Sequence, residues 1–386
     1  MEIYNARAWA EINLDAIAHN VQSIKKLVGD AKILCVVKAN AYGHGFFETA
    51  KTMVENGADI LGVATFEEAK QLRLSGFMQP ILVLGSVHTS LASDMVRYNI
   101  SATITDELLA RTMSKAAIQQ NKQAKFHIKI DTGMSRLGFS ANDEGIAKIK
   151  EICSLPYVCL EGLFTHLSCA DEKDRAFTDN QYEQFMYVAN SLEKEGITFT
   201  YKHICNSAGV IEYPEYHLDM VRPGIIIYGL YPDKNISREK LNLIPAMTVK
   251  ARITRIDEKE ENTPVSYGAT YKTKKKEKLA TVPIGYADGY LRCLSGTAVM
   301  SVNGCVVPVV GRICMDQCMI DVSSVNNINV GDEVIVFGNG GDKRVTLEEL
   351  AACAGTVPHE ILSLTGNRTP RVFIKDGKII DVLTYL

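Results

Sequence analysis

The chain has 386 residues, 46% of them apolar and 23% charged, with a formal charge of -3. It is too long for one ordinary compact domain and suits a barrel of about 250 residues plus a second domain, with the composition of a soluble globular protein. The small net charge gives no general attraction for nucleic acid or anionic lipid and directs attention to a small-molecule partner.

Residues 1–20 mix charges with apolar residues and lack the unbroken apolar run of a signal peptide or membrane span, so a cytoplasmic location off the membrane is expected. Leu14, Ile17, Val21, Ile24 and Leu27 then recur at helical spacing after Asn13, a capping residue. Short apolar runs alternate with amphipathic stretches as far as residue 245, the sign of repeated βα units. The expected strands are 33–37, 60–64, 81–84, 101–104, 126–130, 160–164, 201–205 and 224–228. Eight strands fit a closed barrel, so the expected class is α/β, a (β/α)8 barrel over 11–245.

From residue 246 to 386 the texture changes to Val-, Ile- and Thr-rich runs with turn signals at Asn303-Gly304, Gly331-Asp332 and 338–341, a mostly β domain. Thr346 and Glu349 form a capping-box pattern for a single helix there. The charge run Lys272–Lys278 reads as a solvated hairpin loop. Ten cysteines are scattered; Cys314 and Cys318, four apart in a strand-like segment, read as buried thiols facing one side, with neither metal nor disulfide expected.

Lys38 closes the run Ile33–Val37 and opens the turn Ala39-Asn40-Ala41-Tyr42-Gly43-His44-Gly45, where the glycines redirect the chain. A lysine at a strand end of an α/β barrel stands where chemistry gathers, and an apolar mouth favours its free amine. That makes it a Schiff-base candidate. A lysine snorkelling to water is the other reading of its position.

The string VVKANAYGHG resembles the pyridoxal-phosphate lysine motif of the alanine racemase family. HIKIDTGMSRLGF, GLFTHLSCADE, HICNSAG, MVRPGIIIYG, VSYGATY, IGYADGY and GRICMDQ resemble further segments of that family in the same order. The resemblance covers nearly the whole chain, from near residue 10 to near 371. It implies a pyridoxal 5'-phosphate enzyme that racemises a small amino acid, working as a homodimer whose sites combine both chains, with residues 1–10 joining the β domain. It also implies a role in supplying D-alanine for peptidoglycan.

By that resemblance Lys38 holds the cofactor and acts as base on the D-enantiomer. Tyr267, reaching across a dimer interface, acts on the L-enantiomer; a tyrosine titrates near ~10 unaided and needs help to do so. His166 stacks on the cofactor ring, and Arg222 faces the ring nitrogen. An arginine there only donates, so that nitrogen stays unprotonated. Tyr42, Ser207 and the amides of Gly224 and Ile225 match phosphate ligands. Arg136 matches the arginine near the substrate carboxylate, and Lys129 the position that carries a carbamate to hold it. An unmodified Lys129 paired with Asp131 is the alternative. Tyr286, Met315 and Asp316 resemble the partner-chain lining of the substrate entrance.

One position departs from the pattern. In LTGNRTPRVF, Asn367 stands where the family carries a tyrosine against the phosphate and the substrate side chain. A small amide enlarges the pocket and can bond a hydroxyl, so activity on serine is expected beside alanine. Serine as main substrate, a non-catalytic cofactor-binding protein and a basic amino-acid decarboxylase are the rivals. A carrier would lack the second domain; a decarboxylase is expected to set a carboxylate, not Arg222, by the ring nitrogen.

Overall fold

The structure is a computed structural model that describes residues 6–338 and 345–385. The chain divides into two compact units, one formed by Ala18–Ala41 and Ala50–Ile244, the other by residues up to Ile17, Tyr42–Thr49 and Pro245 onward.

The first unit is an eight-stranded parallel barrel. Its strands run in the order Met220–Val221, Lys32–Val36, Ile60–Val63, Ile81–Val83, Ser101–Ile104, Ala124–Asp131, Val158–Phe164 and Tyr201–His203. Asp219 N–H to Lys202 O at 3.1 Å and Arg222 N–H to Cys205 O at 3.0 Å join the last strand to the first and close it. Ile33, Leu34, Cys35 and Val36 are all buried, as strands covered on both faces require.

Seven of the eight expected strands form within a few residues of their expected bounds. The eighth differs: Ile225–Tyr228 is a 3-10 turn, and the barrel strand is Met220–Val221. Pro223 has no N–H for a ladder, and Gly229 in the left-handed region, φ 86°, closes the turn through its N–H to Ile226 O. The isoleucine run is buried because it packs, not because it is a strand.

The second unit is built on a ten-stranded sheet. Ala8–Asn13 pairs antiparallel with Met247–Arg252 and parallel with Arg371–Lys375, so a segment from the start of the chain sits inside the carboxy-terminal sheet. Asn13 Oδ1 accepts the Ala16 N–H at 3.0 Å and caps the helix Leu14–Val28.

Thr346 and Glu349 form the expected capping box on Leu347–Ala354. A second helix, Pro358–Leu364, joins the single expected one, started by proline at its first turn. The charged run is solvated at Lys272, Lys274, Lys275 and Lys276 but is not a hairpin: Tyr271–Lys272 pairs with Pro264–Val265 while Glu277–Val282 pairs with Arg255–Lys259. Within it Thr273 and Glu277 are buried, Glu277 accepting from Tyr271 Oη at 2.7 Å and from the Lys274 N–H. Cys314 lies in a loop before the strand Cys318–Asp321, half-buried, so the two thiols do not share a strand face. Of the expected turn at 338–341, residues 339–341 lie outside the described residues. Among the described residues no helix is long and apolar enough to cross a membrane.

Candidate active site

Lys38 follows the strand Lys32–Val36 and begins a turn that enters the left-handed region four residues before its first glycine, with Gly43 and Gly45 (φ 78° and 89°) continuing it as expected. Ala39, Asn40, Ala41 and Tyr42 all have φ between 51° and 55°, a left-handed helical turn of four non-glycine residues. Each residue there costs roughly 1–2 kcal/mol, so the surroundings must hold it. Glu68 does part of this. Its Oε1 accepts the Ala39 N–H at 2.7 Å and its Oε2 the Ala64 N–H at 2.8 Å, while it completes a capping box with Thr65. Burial lowers the Lys38 pKa, and the Arg136 charge adds to this against a smaller opposing pull from Glu68. The Lys38 side chain has no hydrogen bond or ion pair among the described residues, which leaves its amine free to react.

Arg222 is the centre of the barrel cluster. It is 3% exposed. Its Nη1 donates to His203 Nδ1 and to His203 O, both at 2.9 Å, and its Nη2 to Thr165 O at 2.8 Å, Ile204 O at 3.0 Å and His166 Nδ1 at 3.2 Å. Burial lowers its pKa to about 10, so it remains a cation at neutral pH. Its Nε–H has no acceptor among the described residues. Because a guanidinium only donates, His166 Nδ1 must accept, which places the proton of the neutral ring on Nε2. Burial, then the charges of Arg222, Lys129, Arg136 and Lys38, keep His166 neutral far below the ordinary histidine range.

Lys129 is buried, donates to Ile130 O at 3.1 Å and lies 5.1 Å over the Phe164 ring. Burial, followed by the Arg222 charge, pushes it down to about 7. No ion pair joins it to Asp131, whose Oδ1 instead accepts the Gly133 and Ser135 N–H groups at 3.0 Å. Arg136 is exposed and has no ion pair among the described residues. Ser207 Oγ accepts the Gly224 N–H at 2.8 Å, and Ile225 begins the 3-10 turn beyond it. The barrel unit thus brings together Lys38, Lys129, Arg136, His166 and Arg222, with Ser207, Gly224 and Ile225 as a second group.

The remaining expected residues belong to the β unit. Tyr42 is buried, its phenol pushed up to about 12 by burial, with its ring 6.0 Å from that of His359. Tyr286 N–H donates to Cys314 O at 3.2 Å and Ala287 N–H to Met315 O at 3.0 Å, locking two turns together. Asn367 is exposed, and its neighbour Arg368 bonds Asp316 at 2.7 Å. Tyr267 follows Ser266, whose hydroxyl donates to Arg312 O at 2.6 Å in the same GRICMDQ segment. A second anchor is Arg371, fully buried, which donates to Gly43 O at 2.8 Å, Gly366 O at 2.6 Å, and Thr365 O and Thr369 O at 2.5 Å. It ties the Tyr42–Gly45 segment to the loop that carries Asn367.

Sequence reasoning missed Glu68, Arg371, His127 and His203. The pattern Thr65-x-x-Glu68 after a strand was a readable signal for the first. His127 and His203 lie far apart in the chain and meet only in the fold, as do Arg371 and the Gly43 carbonyl.

The donor set suits pyridoxal phosphate. That molecule presents an aldehyde, a pyridine nitrogen and a phosphate; the barrel offers a free amine at Lys38, the Nε–H of the buried Arg222 and the Ser207 hydroxyl with nearby backbone amides. Arg222 is the discriminating feature, since a buried cation with one N–H unspent calls for an acceptor.

Residues 12–232 match the family model of the alanine racemase N-terminal domain and residues 246–373 that of its C-terminal domain. The chain is 45% identical over 386 residues to an alanine racemase of Clostridium perfringens, covering 100% of both chains. It superposes on the solved alanine racemase of Clostridium difficile 630 with a TM-score of 0.96, at 39% identity and 99% coverage of each. The alanine racemase of Bacillus anthracis with bound L-Ala-P gives a TM-score of 0.93, at 35% identity and 98% coverage of each. Barrel, buried donors and full-length similarity agree: the chain belongs to the alanine racemase family, pyridoxal-phosphate isomerases that racemise an amino acid.

Proposed function

We propose that this chain interconverts L- and D-alanine with two bases, Lys38 on one face of the α-carbon and Tyr267 of a second copy on the other, and that it accepts serine as well. The observation that carries the reading is Arg222, buried, charged and held by five hydrogen bonds with its Nε–H unspent. When bound, pyridoxal phosphate supplies the electron sink that makes the α-hydrogen of an amino acid removable. Arg222 only donates, so it holds an acceptor nitrogen without protonating it and favours return of a proton to the α-carbon over side reactions. Lys38, with its ammonium form disfavoured, both holds the cofactor and takes or returns a proton on its face. Ser207, Gly224 and Ile225 supply a hydroxyl and amides for the phosphate, the Gly224 N–H leaving Ser207 Oγ to do so. The family pattern adds the Tyr42 hydroxyl, and His166 lies beside Arg222 to orient the ring.

Lys129 is proposed to carry a carbamate. At a pKa of about 7 a large share of it is free amine at neutral pH. The free amine, which has already given up the ammonium proton, bonds the carbon of carbon dioxide through its nitrogen and releases a second proton, so that a cation beside Arg136 is replaced by an anion that can hold it. Intact mass under gentle conditions should show the added carbon dioxide, lost on acidification; an unmodified mass throughout rejects it.

Tyr267, Tyr286 and Met315 are 69%, 41% and 52% exposed in connected turns, an apolar group that supports a homodimer in which one copy completes the other's site. The Bacillus anthracis relative binds L-Ala-P, which supports alanine as substrate. A cytoplasmic role supplying D-alanine to peptidoglycan is part of the same proposal, supported by membership of the family.

Asn367 supports the serine activity. A pocket with a short amide in place of a ring leaves room for a hydroxymethyl group and a partner for its hydroxyl, a term of roughly 1–3 kcal/mol. Chiral chromatography of L-alanine and L-serine, each incubated with the cofactor-loaded protein, tests the assignment. Faster turnover of alanine upholds the main reading; comparable or faster turnover of serine makes serine the main substrate; no turnover of either rejects both.

A further inference from the structure

Arg222 has no carboxylate within ion-pair distance among the described residues; it touches two imidazoles and three carbonyls. One imidazole starts a line of contacts through the barrel. His203 Nδ1 is 2.9 Å from Arg222 Nη1, His203 Nε2 is 3.0 Å from His127 Nδ1, and His127 Nε2 is 3.6 Å from Glu161 Oε2. The last contact is beyond hydrogen-bond length and within ion-pair reach. Glu161 also accepts the Ser101 hydroxyl and lies 3.0 Å from Lys125 Nζ.

The ends of the line fix its direction. A guanidinium only donates, so His203 Nδ1 accepts and the proton of the neutral ring sits on Nε2. That proton goes to His127 Nδ1, which leaves the His127 proton on Nε2, facing a carboxylate that only accepts. Each neutral ring has one permitted tautomer. Burial keeps both rings below the ordinary histidine range, so both are neutral at pH 7. Burial pushes the Glu161 carboxyl up, but His127, Ser101 and Lys125 outweigh it and hold the group at about 2, ionised.

The backbone is shaped for the same contacts. The pairing of Ala124–Asp131 with Val158–Phe164 shifts between Phe126 and His127, so Phe126 faces Leu160, His127 faces Gly162, and Glu161 is the extra residue of a bulge. Bulges re-aim side chains, and are rare between parallel strands. Gly162 is the one residue that fits there, since a methyl group would overlap the His127 ring. Phe164 stacks on His203 at 4.7 Å and 3° and also lies under the Arg222 guanidinium, 5.3 Å away, which fixes both groups on one ring.

We propose that Glu161 and His127 are positioning residues for Arg222: the carboxylate, acting through His127 and His203 in a single proton order, supplies the counter-charge that holds the guanidinium in one orientation. Its consequence for racemisation rests on Arg222 facing the cofactor's ring nitrogen. Chains of polar contacts polarise one another, so the charge of Glu161 strengthens His203 Nδ1 as an acceptor and softens the field that Arg222 presents at Nε.

The test is histidine-selective 15N NMR of the cofactor-loaded protein together with kinetics of Glu161→Gln. His127 and His203 should each show a pyridine-type Nδ1 and a pyrrole-type Nε2. Glu161→Gln keeps the shape and removes the charge. It should shift the His203 Nδ1 resonance, move the visible absorption of the bound cofactor and lower kcat about 10-fold with little change in KM, the usual scale for an outer partner. Lys125→Met removes the cation beside Glu161 and should move the same resonance and band the opposite way, a signature that loosened packing would not give. It also carries the test where Glu161→Gln does not fold.

A proton on Nδ1 of either ring in the unaltered protein overturns the proposal, as does a Glu161→Gln enzyme whose resonances and kcat match the unaltered one. Resonances that respond to Glu161→Gln while the cofactor band responds to neither that change nor Arg222→Lys uphold the relay and overturn the placing of Arg222.

Discussion

The cluster around Arg222 and the cluster around Tyr267 are organised by opposite means. Arg222 is 3% exposed and every group it touches is a side-chain ring or a carbonyl of the same barrel; Tyr267 is 69% exposed and stands on a turn fixed through its neighbours, Ser266 to the carbonyl of Arg312. Inside the barrel, charge, tautomer and ring orientation are settled within one fold. In the β unit the backbone is settled and the side chain is left to whatever covers it. The proposed roles fit this contrast: a group that tunes an electron sink needs a fixed field, and a group contributed to another copy's site needs a firm base and an open tip.

The largest break in that comparison is at Lys38. Lys38→Ala should abolish racemisation in both directions, since the proposed function has one residue both hold the cofactor and serve as base. Chiral chromatography started from each enantiomer checks this, and measurable turnover from either side sinks the assignment. Tyr267→Phe comes next, at roughly 10² to 10⁴ in rate, the worth of one placed acid or base. Its loss should be lopsided, heavier on proton removal from the L-enantiomer. Equal losses of solvent-deuterium exchange from both enantiomers would remove Tyr267 from its role.

The buried side of the comparison is sharpened by acid. His127, His166 and His203 are all held below the ordinary histidine value, mainly by burial. Below about pH 6.5 the unfolded chain takes up protons on these rings and the folded one does not, so stability is full above that pH and falls as pH drops. The slope should reach about 1.4 kcal/mol per pH unit for each of His166 and His203, which lie well below the ordinary value, with His127 adding in the same direction. Lys129, lowered to about 7 against an unfolded value of about 10.4, adds a loss of the same sign as pH falls to about 7, so it contributes to the step from pH 7.5 to 6 and leaves the step from 6 to 5 to the rings. Glu161 adds a further loss only between about 4.3, its unfolded value, and about 2. Urea midpoints at pH 7.5, 6 and 5 read the effect; a flat series would mean the three rings are not buried and neutral.

Most of the barrel was legible because strands buried on both faces show as apolar runs, and Lys38 because a charge ends one of them. The eighth strand was not: in Arg222-Pro-Gly-Ile-Ile-Ile-Tyr the apolar signal marks burial, and only Pro223 hints that no ladder follows. The left-handed turn at Ala39–Tyr42 was barely legible, since two alanines and a tyrosine carry no sign of positive φ, the one asparagine that favours it stands alone among them, and the glycines drew the attention. The Arg222 line was illegible for another reason. His127 and His203 lie 76 residues apart, and a bulge at Glu161 breaks the alternation by which an inward carboxylate could have been read. Asn367 was legible only against a family pattern, because an exposed asparagine in a turn has no physical mark of its own.

The smallest effect is expected at that residue. Asn367→Tyr restores a ring at a site whose loop is clamped by Arg371 through the carbonyls of Thr365, Gly366 and Thr369, so the backbone need not move to admit it. The ring fills space that a hydroxymethyl group would use and removes the amide that would bond its hydroxyl. The ratio of kcat/KM for alanine over serine should therefore rise by about 1 to 3 kcal/mol, roughly 10- to 200-fold, with alanine turnover nearly kept. A ratio that stays put would mean the substrate side chain does not meet residue 367. Serine activity would then have to arise elsewhere in the β unit, with Met315 and Tyr286, both exposed in the turns locked together beside Asp316, as the next residues to exchange.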